Sequence, residues 1–89
     1  MSCYVYLIQS QVDKSYYVGI SENPKKRLNE HNNGKLKITS KKKPYKLVYN
    51  KEYKNYQSAR KHEIWLKKKN KIYKDNLAQL APPELGGVK

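Results

Sequence analysis

Two short runs of aromatic and β-branched residues lie close together near the start of the chain, at residues 4–6 and 16–19. Such residues are typical of β-strands, and polar residues bound each run. The segment 10–14 between them is polar except for Val12 and has the length of a short hairpin loop. The pattern therefore predicts strands over residues 3–9 and 15–20 that pair as an antiparallel hairpin.

Alternation of side chains along these two strands predicts which residues share a face. Tyr6 on the first strand and Tyr17 on the second fall on one surface, and Gly19 leaves space beside them. A helix start follows, because Asn23 is a favourable N-cap and Pro24 suits the first helical position.

The predicted helix spans residues 24–32 and carries Arg27 and His31, which are four positions apart and so lie on one helical face. Two tyrosines, an arginine and a histidine thus occur together on a compact strand–strand–helix unit. This constellation is the strongest functional signal in the chain.

The remainder of the chain predicts one more strand and two more helices. Residues 35–46 form a basic connector in which Pro44 disfavours helix, and a third strand follows over residues 45–53. Alternation places the bulky side chains of that strand on one face, namely Tyr45, Leu47, Tyr49 and Tyr53. Helices are predicted over residues 56–69 and 72–80.

These elements predict a small α+β domain over residues 1–80, in which helices flank a three-stranded antiparallel sheet. Residues 81–89 follow the predicted helices and begin with Ala81, Pro82 and Pro83, so we expect them to form a flexible tail.

Glu63 is out of place on the helix predicted for residues 56–69. At 100° per residue it falls on the packing stripe between Ala59 and Leu66. A carboxylate is unfavourable there unless a cation meets it. The cation can be a metal ion, or it can be a side chain, in which case the candidates are Arg60, Lys67 and Arg27.

The charge of the chain indicates a polyanionic partner. Twenty Lys and Arg residues stand against seven acids, so the net charge is +13 over 89 residues, and nucleic acid is the first candidate. We expect no membrane partner, because no segment approaches the roughly 18 apolar residues of a spanning helix. The predicted phosphate contacts are Lys26, Lys35, Lys37, Lys41, Lys42, Lys43, Lys67 and Lys68.

The cysteine content favours a reducing compartment. Cys3 is the single cysteine, which excludes an internal disulfide and a cysteine metal cluster. Residues 1–9 lack the basic and apolar regions of a signal peptide, so we expect a cytoplasmic protein.

The two strand triplets, with ten residues between Tyr6 and Tyr17, resemble the signature triplets of the GIY-YIG nuclease family. Residues 23–32 resemble the family's first-helix motif, residues 43–48 resemble the start of its third strand, and Glu63 falls where the family carries a metal-binding glutamate. The resemblance covers about residues 3–70 and is nearest to small single-domain bacterial members. One departure is that the first triplet reads Tyr-Val-Tyr in place of Gly-Ile-Tyr.

The resemblance implies a role for each residue of the constellation. Tyr6 would activate water as base or intermediary, and Tyr17 would hold the phosphate or the water. Arg27 would neutralise transition-state charge, and His31 would accept or relay a proton. Glu63 would hold one Mg²⁺ or Mn²⁺ ion. Many members also carry an asparagine after the glutamate helix, for which Asn70 and Asn76 are both candidates.

A tyrosine with a pKa near 10 is a poor base at pH 7. We therefore expect Arg27, the lysines and a metal ion to depress the pKa of Tyr6. The resulting hypothesis is a metal-dependent endonuclease acting on DNA, which we favour over RNA. The alternative is a basic nucleic-acid-binding module that keeps the scaffold without turnover, and a purely structural protein is a third class.

Overall fold

The central strand of the sheet, β1 (Cys3–Ser10), pairs antiparallel with β2 (Tyr16–Ser21) on one side and with β3 (Tyr45–Tyr53) on the other. The structure is a computed structural model that describes residues 2–80. It confirms the predicted α+β class and three-stranded antiparallel sheet. The tail predicted for residues 81–89 lies outside the described residues.

Both faces of the sheet are covered, and β1 supplies side chains to both cores. Residues 5–8 of β1 are each at most 2% exposed. One core contains Val5 and Leu7 of this strand with Val18, Val48, Ala59 and Leu66. The other contains Tyr6 and Ile8 with Tyr45, and Tyr17, Leu28 and Leu47 pack around it. Each buried aliphatic side chain contributes about 1.5–3 kcal/mol relative to exposure, so β1 is the most strongly stabilised element.

Strand β3 contains a β-bulge at Val48, which lies between the strand pairs Leu7–Tyr49 and Ile8–Leu47. The extra residue shifts the alternation of side chains by one position. The single face predicted for the bulky residues of this strand is therefore wrong. They divide between the two cores, with Tyr45 and Leu47 on one face and Tyr49 and Tyr53 on the other.

Four helices complete the described chain: α1 (Pro24–Asn32), α2 (Lys37–Ser40), α3 (Tyr56–Lys67) and α4 (Lys71–Leu80). The side chains of Asn23 and Asn55 accept hydrogen bonds from backbone N–H groups and cap α1 and α3 as their sequence positions predict. Helix α3 ends two residues earlier than predicted, and α4 begins one residue earlier. None of the helices within residues 2–80 is long and apolar enough to cross a membrane.

Helix α2 was not predicted, because it lies in the segment interpreted as a connector. It has four residues and no side-chain cap, so local sequence preference does little to form it. Its contacts with α1 hold it in place instead. The consequence is that Thr39 of α2 is brought against α1, where only 1% of it is exposed.

Candidate active site

The hairpin brings Tyr6 and Tyr17 to one face of the sheet, as the alternation predicts. Their ring centroids lie 6.4 Å apart. Gly19 pairs directly with Tyr6 across the strands. A Cβ atom on Gly19 would lie 2.5 Å from the Tyr6 hydroxyl oxygen and 2.6 Å from Cζ. The Tyr6 ring therefore lies across Gly19, and only a residue without a side chain leaves room for it.

Helix α1 inserts His31 beside the two tyrosines. The imidazole is fully buried, and its ring centroid lies 5.0 Å from that of Tyr17 and 5.9 Å from that of Tyr6. Nε2 of His31 lies 3.0 Å from the Tyr6 hydroxyl oxygen. On the far side of the ring, Nδ1 lies 2.7 Å from Oγ1 of Thr39. His31 is thus held between two hydroxyl groups.

The hydrogen bonds of Thr39 assign the tautomer of His31. Thr39 Oγ1 lies 3.3 Å from the carbonyl oxygen of Leu36, which can only accept. The hydroxyl proton of Thr39 is used there, so Nδ1–H of His31 donates to Thr39 Oγ1. In the neutral ring, Nε2 is then the acceptor for the Tyr6 O–H. Burial and the nearby Arg27 lower the pKa of His31 below 6.5, and the neutral ring predominates at pH 7.

The pKa of Tyr6 moves against expectation. Burial, and after it the neighbouring Tyr17, raise the pKa of this phenol well above its usual value of about 10. Arg27 lowers the pKa as predicted, but burial outweighs it. The protein's own groups therefore leave the pKa of Tyr6 raised, and Tyr6 faces His31 as a protonated donor. The effect of a bound metal ion on this pKa stays a prediction.

A cleft of about 310 Å³ opens in front of the tyrosines at the β2 side of the sheet. Arg27 from α1 and Glu63 from α3 border it on two sides. The lining residues are Tyr6, Tyr17, Gly19, Ile20, Arg27, Leu36, Tyr56, Arg60 and Glu63. Four of the five predicted catalytic residues line this cleft, and the fifth, His31, lies behind Tyr6.

Glu63 is only 7% exposed and is held by two cations. Its Oε1 lies 2.6 Å from Nη1 of Arg60, and its Oε2 lies 3.2 Å from Nζ of Lys67. Two of the ion pairs considered from the sequence are therefore formed. Arg27 forms its ion pair with Glu30 instead, at 3.2 Å. The negative charge of Glu63 on the packing stripe is therefore balanced by two cationic side chains of its own helix.

Among the residues that line this cleft, Glu63 is the one carboxylate that could hold a divalent metal ion. Residues 2–80 contain no group of three or more His, Cys, Asp or Glu side chains that would form a ligand cage. Mg²⁺ does not need one, because it often uses one or two carboxylates and completes its shell with water and phosphate. The side chains of Arg60 and Lys67 are 50% and 51% exposed, so both can turn away from Glu63.

The lysines predicted to contact nucleic acid are all exposed and occur in three groups. Lys26 adjoins Arg27 on α1, and Lys67 and Lys68 lie at the C-terminal end of α3. The third group surrounds α2 and comprises Lys35, Lys37, Lys41, Lys42 and Lys43. Leu36, next to this group in sequence, lines the cleft. Lys42 also forms an ion pair with Asp13 at 3.3 Å.

Sequence reasoning missed Thr39 and did not resolve the candidate asparagines. Nothing in the segment around Thr39 marks it as a partner for His31, since the contact depends on the unpredicted helix α2. Asn70 accepts a hydrogen bond from the backbone N–H of Tyr73 at 2.9 Å and caps α4. Asn76 is exposed on α4. Neither asparagine lines the cleft.

The site combines two tyrosines from a hairpin with an arginine and a histidine from one helix and a glutamate across the cleft. This combination is characteristic of one class of domain. Residues 2–76 match the family described as the GIY-YIG catalytic domain. The chain belongs to this family of nuclease domains, which confirms the resemblance seen in the sequence.

Small bacterial proteins designated UPF0213 are similar to the chain. It is 34% identical to one from Syntrophus aciditrophicus, over 92% of this chain and 95% of the relative. It is 39% identical to one from Clostridium perfringens, over 73% of this chain and 70% of the relative. The solution NMR structure of a UPF0213 protein from Bacillus halodurans matches with a TM-score of 0.58 and 27% identity, covering 94% of this chain and 89% of that one.

Replacing Thr39 by valine should change the tautomer of His31. Valine has a similar shape but cannot accept from Nδ1–H, which leaves a buried donor unpaired and costs about 1–3 kcal/mol. We expect nitrogen NMR of the imidazole to show the proton moving to Nε2. Thr39→Ser keeps the hydroxyl and should retain the parent tautomer. A valine variant with the parent tautomer and stability would contradict the assignment.

Replacing Gly19 by alanine should destabilise the protein through Tyr6. The added methyl would overlap the phenol, and such overpacking costs about 1–3 kcal/mol of the free energy of unfolding. Denaturant unfolding measures this loss. In a Tyr6→Leu background the side chain ends short of Gly19, so there the same alanine should cost much less. An equal cost in both backgrounds would show that the strain lies elsewhere.

Proposed function

We propose that the protein is a metal-dependent endonuclease that hydrolyses phosphodiester bonds in DNA. The observation that carries this proposal is the hydrogen bond between Tyr6 and His31, which faces a cleft bordered by Arg27 and Glu63. A buried phenol bonded to a neutral imidazole is a route for moving a proton away from the cleft. An arginine and a glutamate opposite it are suited to a phosphate and a divalent ion.

Tyr6 acts as a proton relay between water and His31. Its raised pKa disfavours a free phenolate, so the phenol must give up its own proton as it takes one from water. The Tyr6 proton passes to Nε2 of His31, while the water oxygen forms its bond to phosphorus. The bond from phosphorus to the leaving oxygen breaks, and that oxygen takes a proton from solvent. His31 becomes positively charged, and its Nδ1–H remains bonded to Thr39.

The charged residues of the cleft stabilise the phosphate. Arg27 presents a guanidinium that can meet phosphate oxygens in a bidentate manner, and Tyr17 lies beside Tyr6 where it can orient the phosphate. Glu63 would hold Mg²⁺ or Mn²⁺, which when bound neutralises the negative charge that builds up during hydrolysis.

The exposed lysines favour recognition of nucleic-acid shape over sequence. Lysine contacts with phosphates position a protein without reading bases. The predicted lysines lie next to residues that line the cleft in sequence or on the same helices, near Arg27 on α1, near Leu36 before α2 and at the end of α3, which carries Arg60 and Glu63. We therefore expect a structured or branched DNA substrate, with RNA as the less favoured one.

A non-catalytic nucleic-acid-binding module is the second candidate. The observation in its favour is that both Glu63 oxygens are engaged by Arg60 and Lys67, as in a purely structural ion pair. A nuclease assay separates the two. Single-stranded, duplex, flapped and branched DNA, and the matching RNA, would be incubated with Mg²⁺, Mn²⁺ or EDTA. Cleavage that requires the divalent ion supports the enzyme, and binding without cleavage supports the module.

Replacing Glu63 by glutamine should abolish divalent-dependent cleavage. Stability should stay within about 1–2 kcal/mol of the parent, because the partners Arg60 and Lys67 are half-exposed and no buried charge is stranded. Cleavage and thermal unfolding would both be measured. The matched control is Glu52→Gln on β3, outside the cleft, which should cleave like the parent. Unfolding of the Glu63 variant would instead indicate that its ion pairs are structural.

Replacing Tyr6 by phenylalanine should lower cleavage by about 10²–10⁴-fold, the usual value of a positioned acid–base group. Affinity for nucleic acid should hardly change, because one neutral hydroxyl is lost beside many lysines. Tyr17→Phe is the matched control and should be milder if Tyr17 only orients the phosphate. A Tyr6 variant that cleaves normally, with an inactive Tyr17 variant, would reverse the two roles.

The cleavage rate of the parent should fall in acid. A protonated His31 cannot accept from Tyr6, and the pKa of His31 lies below 6.5. The rate should therefore be lost as the pH falls through that pKa and should be restored on titration back. A rate that is constant across this range would exclude His31 as the proton acceptor.

A further inference from the structure

A second feature of α3 has no part in the chemistry proposed above. Four rings from β3, α3 and α4 form a continuous aromatic row: Tyr53, His62, Trp65 and Tyr73. Neighbouring ring centroids along the row lie 5.6, 5.8 and 5.4 Å apart. The Tyr53 hydroxyl and Nδ1 of His62 lie 2.9 Å apart, within hydrogen-bonding distance.

Trp65 is the accessible member of this row, with 44% of the residue exposed. It is also surrounded by positive charge. Nζ of Lys69 lies 4.4 Å from the Trp65 ring centroid and 5.7 Å from that of Tyr73. Nζ of Lys51 lies 5.8 Å from the Tyr53 centroid. Neither lysine belongs to the set predicted from the sequence to contact phosphates.

The row and the cleft lie on different sides of α3. Trp65 follows Glu63 by two residues, which is about 200° around a helix. The surface between them is basic, because Arg60, Lys67, Lys68 and Lys61 fall in that arc and are all exposed. A helix is about 10–12 Å wide with its side chains, so a few nucleotides of a strand leaving the cleft would reach Trp65 across this surface.

We propose that the aromatic row is a base-stacking subsite for single-stranded nucleic acid, with Trp65 as the platform. Bases of any sequence stack on aromatic side chains, and neighbouring cations hold the backbone. Lys69 has a flexible side chain that can leave the ring to contact a phosphate. The inference deepens the proposed function, since it adds an unpaired flanking strand to the substrate, and it rests on nucleic-acid binding and not on cleavage.

Charge favours this occupant over a protein surface. The chain carries a net charge of +13, so a second copy would be repelled, whereas a polyanion is attracted. The lysines lie beside the aromatic rings in the same way that phosphates lie beside the bases of a nucleic-acid strand. An apolar partner would have to cover these ammonium groups and pay for their desolvation.

Tryptophan fluorescence reports whether a base is stacked on Trp65, because Trp65 is the single tryptophan of the chain. The parent would be titrated at low salt in EDTA with oligothymidylate and with an abasic oligomer of equal length. We expect oligothymidylate to quench the tryptophan fluorescence to saturation. The abasic oligomer should bind, as seen by anisotropy of an end label, without quenching. Equal quenching by both oligomers, or none by either, overturns the proposal.

Substitution at Trp65 gives an independent test. Trp65→Ala should weaken binding of oligothymidylate by about 5- to 150-fold, the range for one stacked base, and leave the abasic oligomer unaffected. Val12→Ala is the control, since Val12 is an apolar residue that is 64% exposed in the loop between β1 and β2 and lines neither the cleft nor the aromatic row, and it should bind like the parent. Equal weakening for both oligomers, or parent affinity for both, overturns the subsite.

The fluorescence titration uses the unaltered protein, so it remains decisive if Trp65→Ala does not fold. Nuclease activity is assayed separately with Mg²⁺. Base-dependent quenching in a protein that never cleaves would refute the proposed function and keep the subsite. Cleavage without base-dependent quenching would refute the subsite and support the proposed function.

Discussion

The rest of the site depends on the two hydrogen bonds that the buried His31 ring makes, one at each of its nitrogens. Neutral His31 joins α1 to β1 through Tyr6 and to α2 through Thr39. A buried polar ring stays in such a place only when both nitrogens are satisfied. The same two bonds set the direction in which a proton can move. The packing of His31 and the proposed chemistry therefore both require that its Nε2 remains a hydrogen-bond acceptor.

The bulge in β3 and the missing side chain at Gly19 in β2 make room around this histidine. Without the extra residue at Val48, Tyr45 would not share a face with Tyr6 while Tyr49 packs on the opposite core. Without Gly19, the Tyr6 ring could not lie flat across β2 toward His31. β-Bulges commonly occur next to functional sites.

The sheet and the residues of the cleft followed from local patterns in the sequence. Strand alternation placed Tyr6 with Tyr17, helical spacing placed Arg27 and His31 on one face of the helix that follows, and Glu63 was conspicuous on its packing stripe. The bulge, helix α2 and the raised pKa of Tyr6 did not follow. A bulge carries no local marker, a four-residue helix depends on its tertiary contacts, and the pKa reflects burial that exists only after folding.

Because β1 is the central strand of the sheet, motions of Tyr6 are coupled to motions of the whole fold. Tyr6 lies in a strand that is hydrogen-bonded on both sides and buried on both faces. Amides in such a strand exchange with solvent only through openings close to global unfolding. We therefore expect Tyr6, the first member of the proposed proton relay, to belong to the slowest-exchanging cooperative unit of residues 2–80. In the proposed function, adaptation to different substrate shapes would fall to the exposed arginine and lysine side chains near the cleft, since exposed side chains change rotamer within nanoseconds.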